Sequence, residues 1–290
     1  MYSSKDIAAC TATVVGFVFV LSAALRVPAP LDEYDNCRRY ALAVTAYGSD
    51  NDDRVPPVQY NNTYSVVQND QVVGNLITPY KRGNRYLVDP DSPVALQDRV
   101  LVDMLPLGSV PPERRMDQVF FNIAVKSDFG YNAQYFSLMG ANCPENGGTL
   151  PFKAFPIRLT EVANLQRSIV CVNSIWNRDG DSPVGGGSWA LDPPCRQYKD
   201  PDTGAIKDTF PPLPAGCTGR WWFGGWNPGS GNWNEWGGMW PFYHAGLVAT
   251  GFADGHMEAL TVPETSKGCD VKTAWSGYIF DRDLYLWDTQ

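Results

Sequence analysis

The sequence predicts an α+β chain in which an N-terminal hydrophobic helix is followed by a β-rich globular domain. Three observations carry this prediction. From Ile7 to Leu25 nineteen residues pass without a charge, a proline or an amide. Cys37, Tyr40, Ala41, Val44 and Tyr47 then recur at three- and four-residue spacing, the stripe of an amphipathic helix. Beyond Val55 short alternating or β-branched runs dominate and no sustained helical period appears. With 44% hydrophobic and 19% charged residues the chain can build a core, and 27 glycines and 23 prolines favour many turns.

As a helix, the first segment would run about 28 Å, close to the thickness of a bilayer hydrocarbon core. Ile7, Val14, Val15, Phe17, Phe19 and Leu21 are among its large apolar residues, and no side of it carries a charge. Such a helix needs burial in lipid or against other helices. A secretory signal or a lone anchor is the plain reading, and packing against copies of itself is the one expected here. Pro28 and Pro30 each remove a backbone donor and break the helix. The chain therefore divides into a filament-core or membrane helix with its break (1–30), an amphipathic helix with an acidic turn (31–54) and a β-rich domain (55–290). In the second region Asp32 is a good N-cap type, Glu33 and Asp35 suit the positive helix end, and Gly48 is placed to stop the helix. In the third, strands are expected at Tyr64–Val67, Val72–Thr78, Val119–Val125, Ser168–Val172, Gly246–Phe252 and Ala274–Phe280, with a hairpin turn at Lys199–Gly204.

Charge and composition exclude several functions. A net charge of −8 leaves no basic face for nucleic acid. Two histidines are little material for His-based catalysis; no base–nucleophile pair and no Gly-rich phosphate loop stands out, so no enzyme is expected. Seven cysteines include Cys10 in the hydrophobic segment and Cys37, Cys143, Cys171, Cys195, Cys217 and Cys269 outside it. None forms a CxxC pair, so a thiolate zinc site is not expected. Six scattered cysteines suit an oxidising, exported compartment and up to three disulfides. Of the possible pairings, Cys195–Cys217 is favoured because it would close a Pro-rich loop.

Two further features invite ligands. Asp50, Asp52 and Asp53, then Asp179 and Asp181, then Asp200, Asp202 and Asp208 have calcium-like spacing, but none fills a twelve-position loop, and solvated turns are expected. Between Arg220 and Tyr243 stand six of the ten tryptophans: Trp221, Trp222, Trp226, Trp233, Trp236 and Trp240. Exposed, they could stack on a glycan; buried, they would pack inside the domain or against a neighbouring subunit.

Near the C-terminus His244 is followed, after nine residues, by Asp254-Gly255 and then His256-Met-Glu-Ala-Leu260. This resembles the signature of the bacterial prepilin-type H-x(9)-D-G family, a type IV pilin-like and pseudopilin-related group. Ala46–Pro57, with its acidic turn before Arg54-Val-Pro56-Pro57, is similar to that family's segment after the N-terminal helix, and Leu159–Asn164 before Ser168–Val172 looks like its middle strand. The hydrophobic helix sits where a pilin's would, although Lys5 stands at the family's usual Glu position. The resemblance implies a pilin-like fold and a structural subunit of an extracellular filament. It would be membrane-inserted before assembly, polymerised with itself through its N-terminal helices and handled by a pilus or secretion machinery. Alternatives are a membrane-anchored pseudopilin of a type II secretion-like machine and an anchored carbohydrate-binding surface protein. In residue terms, His256–Leu260 is expected to pair with Leu247–Phe252 across an Asp254-Gly255 turn, with both turn residues tolerant of positive φ and His244 bracing the hairpin. A metal site from His244, Asp254 and His256 is the sharper alternative.

Overall fold

The structure is a computed structural model that describes residues 33–60, 66–80, 109–144, 152–179, 182–231, 235–241, 245–273 and 276–290. The predicted hydrophobic helix, including Ile7, Val14, Val15, Phe17, Phe19 and Leu21, and the break at Pro28 and Pro30 lie outside the described residues.

Chain order begins with helix α1 (Glu33–Asp50), then β1 (Gln59–Tyr60), β2 (Gln71–Val72), one-turn α2 (Val73–Leu76) and α3 (Arg115–Val125). Strand β3 (Phe129–Asn132), the buried turn α4 (Ala133–Phe136), β4 (Ser137–Ala141), β5 (Lys153–Pro156) and β6 (Ile169–Asn173) follow. Next come β7 (Asn177–Asp179), β8 (Ser182–Val184), β9 (Ala190–Leu191), β10 (Gln197–Lys199), β11 (Ile206–Asp208) and β12 (Gly219–Arg220). The last elements are β13 (Leu247–Phe252), β14 (Met257–Thr261) and α5 (Val262–Thr265). The central sheet has the order β14–β13–β6–β3–β9, antiparallel except for the final β3–β9 pair. A three-stranded sheet β12–β4–β5 and the pairs β1–β2, β7–β8 and β10–β11 complete the sheets among the described residues, with isolated bridges beside them.

The α+β, pilin-like class read from the sequence is overturned. Among the described residues no helix is long and apolar enough to cross a membrane. Among the described residues helices are few, and strands of two to six residues are distributed over five sheets, four of them antiparallel and the central one mixed. Glycine and proline punctuate the chain too often for longer elements to persist.

Helix α1 lies on β13, β14 and β6. Its stripe behaves as the spacing predicts: Cys37, Tyr40, Ala41 and Val44 are buried, and Arg39 pairs with Asp35 at 2.6 Å on its outer side. The stop does not fall at Gly48. The helix continues to Asp50, and the Gly48 carbonyl accepts the N–H groups of Asn51 and Asp53 (3.1 and 2.9 Å). Asp52 and Asp53 then take left-handed φ values of 53° and 65°, which reverse the chain.

Other strand expectations need correction. Val119–Val125 belongs to helix α3, whose buried face carries Gln118 and Asn122 beside Phe121 and Val125. Gln118 Nε2 donates to Asn122 Oδ1 at 2.9 Å and Gln118 Oε1 accepts the Val66 N–H at 3.2 Å, so polar residues can occupy core positions. Val72–Thr78 is strand only at Val72; the Asn75 carboxamide oxygen accepts the Val72 N–H at 3.2 Å and turns the chain into α2. Val66–Gln68 is a 3-10 turn, and 61–65 lie outside the described residues. In the last expected run only Ile279 makes bridges, to Tyr198 and Cys269; 274 and 275 are outside the described residues.

Cys195 does not pair with Cys217. The bridges are Cys143–Cys217 and Cys195–Cys269. Sheet register decides this: Gly219 of β12 lies opposite Ala141 of β4, which delivers Cys217 to Cys143. At the other bridge the Tyr285 hydroxyl donates to the Cys195 carbonyl (2.6 Å) and accepts its N–H (3.2 Å). The C-terminal segment closes the core. Ile169 N–H reaches Leu286 O at 2.7 Å, Asn132 donates to Trp287 O at 2.9 Å, and the buried Trp287 ring donates to Thr265 O at 2.8 Å.

Candidate functional site

The signature segment folds as the β13–β14 hairpin, packed beneath α1. Leu247 pairs with Thr261 and Gly251 with Met257 in unbroken register. Gly255 N–H donates to Phe252 O (2.9 Å) and Phe252 N–H to His256 O (3.0 Å), so the loop has three residues, Ala253, Asp254 and Gly255. Only Gly255 has positive φ, at 89°. The turn is therefore a three-residue loop with one left-handed glycine, not an Asp-Gly pair both left-handed.

Each loop residue has a partner. Asp254 Oδ1 accepts the His256 N–H at 3.0 Å and meets His256 Nδ1 at 2.5 Å. Burial pushes the Asp254 carboxyl up, but the His256 backbone and ring bonds outweigh it and hold it below the usual carboxylate range. The His256 ring lies flat on Phe252, centroids 4.3 Å apart, and its Nε2 is 3.5 Å from Glu258. Ala253 N–H bonds Ser168 O (3.0 Å), Asp254 N–H bonds Leu165 O (3.1 Å), and the Thr45 hydroxyl of α1 donates to Ala253 O (3.0 Å).

Two glycines let the helix approach. A Cβ at Gly255 would stand 2.3 Å from Leu42 Cδ2, and one at Gly251 3.0 Å from Ala41 Cβ and 2.8 Å from Cys171 Sγ. Thus Gly255, singled out in the sequence, helps to seat α1, while Asp254 ties the turn to His256 and Leu165. Gly251, Leu42, Thr45 and the Cys37–Cys171 contact belong to the same seat and were not singled out for it. The one available signal is a second glycine four residues before Gly255.

His244 lies outside the described residues, so its bracing role is not placed. Among the described residues no group of three His, Cys, Asp or Glu side chains is arranged to hold a metal. Of the calcium candidates, Asp50 and Asp52 are exposed. Asp53 clamps Thr160, accepting its hydroxyl at 2.6 Å and its N–H at 2.9 Å; those bonds, the hydroxyl's first, lower its pKa. The Asp179 side chain and Asp181 lie outside the described residues. Asp200 caps its own turn by accepting the N–H groups of Asp202 and Thr203, both at 3.0 Å, and Asp208 accepts from Phe210 N–H.

The aromatic segment is drawn inward by one buried carboxylate. Asp192 Oδ2 accepts the N–H groups of Phe223, Gly224 and Gly225 at 2.8, 2.7 and 2.8 Å, and its Oδ1 accepts Gln134 Nε2 at 2.8 Å. Burial raises its pKa, and these four bonds oppose the rise. Trp226 donates to Asp192 O (2.8 Å) and is buried, as is Trp240; Trp222 and Trp236 are half-buried. Trp221 is 36% exposed and packs on Phe152 at 4.2 Å. Trp233 lies outside the described residues. Among the described tryptophans of this segment Trp221 keeps the most exposed face.

No family model, no curated protein and no solved structure matches this chain.

Proposed function

We propose that the chain is a structural subunit of an extracellular, type IV pilus-like filament, assembled through the hydrophobic segment 7–25. One observation carries the reading: the signature hairpin is committed to seating α1, the helix that follows that segment, through Gly251, Gly255 and the Thr45–Ala253 bond. Its polar groups are engaged in backbone and helix contacts, as a scaffold requires. The two disulfides support export to an oxidising compartment. The nineteen uncharged residues from Ile7 to Leu25 supply apolar surface that an assembly could bury.

Electron microscopy of the full-length chain, isolated from cells that express it, tests this. Polymers are expected from the wild type, and Val15→Asp or Phe17→Asp should abolish them while circular dichroism of the domain stays unchanged. A wild-type chain that remains a membrane-bound monomer overturns the filament reading in favour of the anchored secretion component. Retention on a glycan surface, lost in Trp221→Ala, would favour the carbohydrate-binding alternative.

A further inference from the structure

Among the described residues two cysteines stand apart from the bridges. Cys37, on the buried face of α1, and Cys171, in the middle of β6, are fully buried thiols whose sulfurs lie 3.9 Å apart. Gly251 faces the same point. A Cβ there would come within 2.8 Å of Cys171 Sγ and 3.3 Å of Cys37 Sγ, so the bare β13 backbone is what leaves the sulfurs room. A disulfide needs its sulfurs at about 2 Å, an approach that small side-chain rotations can supply. The two residues are 134 apart in sequence and join different elements, so a bridge here would fix the helix to the sheet.

We propose that Cys37 and Cys171 form a third disulfide, a covalent staple between α1 and the central sheet. The inference does not rest on the filament reading. The oxidant is a disulfide-bearing thiol oxidant, such as oxidised glutathione or a thiol–disulfide oxidoreductase. One cysteine thiolate attacks the oxidant's disulfide and releases one thiol, leaving a mixed disulfide. The second thiolate attacks the protein sulfur of that mixed disulfide, forms the Cys37–Cys171 bond and releases the second thiol. Two protons and two electrons pass from the cysteines to the oxidant. Burial pushes the Cys37 thiol far up, so the seated helix presents almost no thiolate. The exchange therefore takes place before α1 seats, during folding or when the helix lifts away. Cys143–Cys217 and Cys195–Cys269 use other sulfurs, so no reshuffling is required.

The test refolds the reduced full-length chain in mild detergent with a mixture of oxidised and reduced glutathione. The product is denatured without reductant, alkylated and mapped by peptide mass, a readout independent of how well any variant folds. A Cys37–Cys171-linked peptide is expected as the main species of both residues. Oxidised wild type should melt roughly 5–15 °C above Cys37→Ala, because closing so long a loop restricts the unfolded chain. Cys171→Ala should lose the same amount, and the double variant no more than either single one. Alkylation of both Cys37 and Cys171, their pairing with other cysteines, or losses that simply add in the double variant would each overturn the staple. None of these outcomes bears on whether filaments form.

Discussion

Replacing Gly255 by alanine probes the helix seat directly, and its cost can be assembled from two parts. Gly255 has φ of 89°, where an L residue carries about 1–2 kcal/mol of backbone strain. The added Cβ would also meet Leu42 Cδ2 at 2.3 Å and Cγ at 2.9 Å. Leu42 is 43% exposed, so its side chain can swing out at a rotamer cost of about 1 kcal/mol. The expected destabilisation is about 2–3 kcal/mol. Gly204 separates the parts: its φ is 68° and nothing lies within 4 Å of a Cβ built there, so Gly204→Ala should show the strain alone. Urea unfolding of the full-length chain in mild detergent, followed by tryptophan fluorescence, measures both. In a cycle with Leu42→Ala, the Gly255→Ala loss should shrink by about 1 kcal/mol, the coupling of two groups in contact. If Gly255→Ala costs no more than Gly204→Ala, or the cycle is additive, the helix does not seat on this turn.

Two further outcomes follow from the buried carboxylates. Asp192→Asn turns one acceptor of a four-bond site into a donor facing either the Phe223–Gly225 N–H groups or Gln134, so it should cost about 2–4 kcal/mol and shift the tryptophan emission; a loss under about 1 kcal/mol would refute its organising role. Asp288 is pushed up to about 6 by burial, against the pull of Arg282 at 2.9 Å. A carboxyl protonated more readily when folded gives stability that is present below its ordinary pKa and lost as pH rises through about 6. Wild type should thus lose roughly 3 kcal/mol between about pH 4 and pH 6 relative to Asp288→Asn, and parallel curves for the two would refute it.

What the sequence discloses and what it hides divide along physical lines. Helix α1 is legible because Cys37, Tyr40, Ala41 and Val44 recur at helical spacing, with the buried polar residues Glu33 and Asn36 confined to its first turn. Strands β6 and β13 are legible because β-branched runs stand between turn signals. Helix α3 is hidden because apolar Val119, Phe120 and Ile123 stand on its half-buried side while polar Gln118 and Asn122 take core positions, so Val119–Val125 reads as a nearly continuous β-like apolar run. The disulfides are hidden because the β12–β4 register, not proximity along the chain, brings Cys217 to Cys143. At the site, Asp254-Gly255 is visible as turn chemistry. What that turn touches is not, because Leu42 and Thr45 arrive from more than two hundred residues away.

The small residues of the seat explain why these contacts occur together. Ala41 and Cys37 on α1 face Gly251 on β13, so backbone and helix approach with little side chain between them. That close approach brings Thr45 within 3.0 Å of the Ala253 carbonyl, and leaves Leu42 lying over Gly255 at the hairpin's end. The hairpin fixes the spacing on its side: Gly251 is the last residue of β13 paired with β14, and Gly255 is the left-handed position of the three-residue loop that follows. The helix fixes it on the other, because Cys37, Ala41 and Thr45 recur every four residues along one face. Enlarging Ala41 should therefore lift the helix from the turn and the Cys171 sulfur at once, whereas a substitution at the exposed Arg38 of α1 should leave both contacts in place.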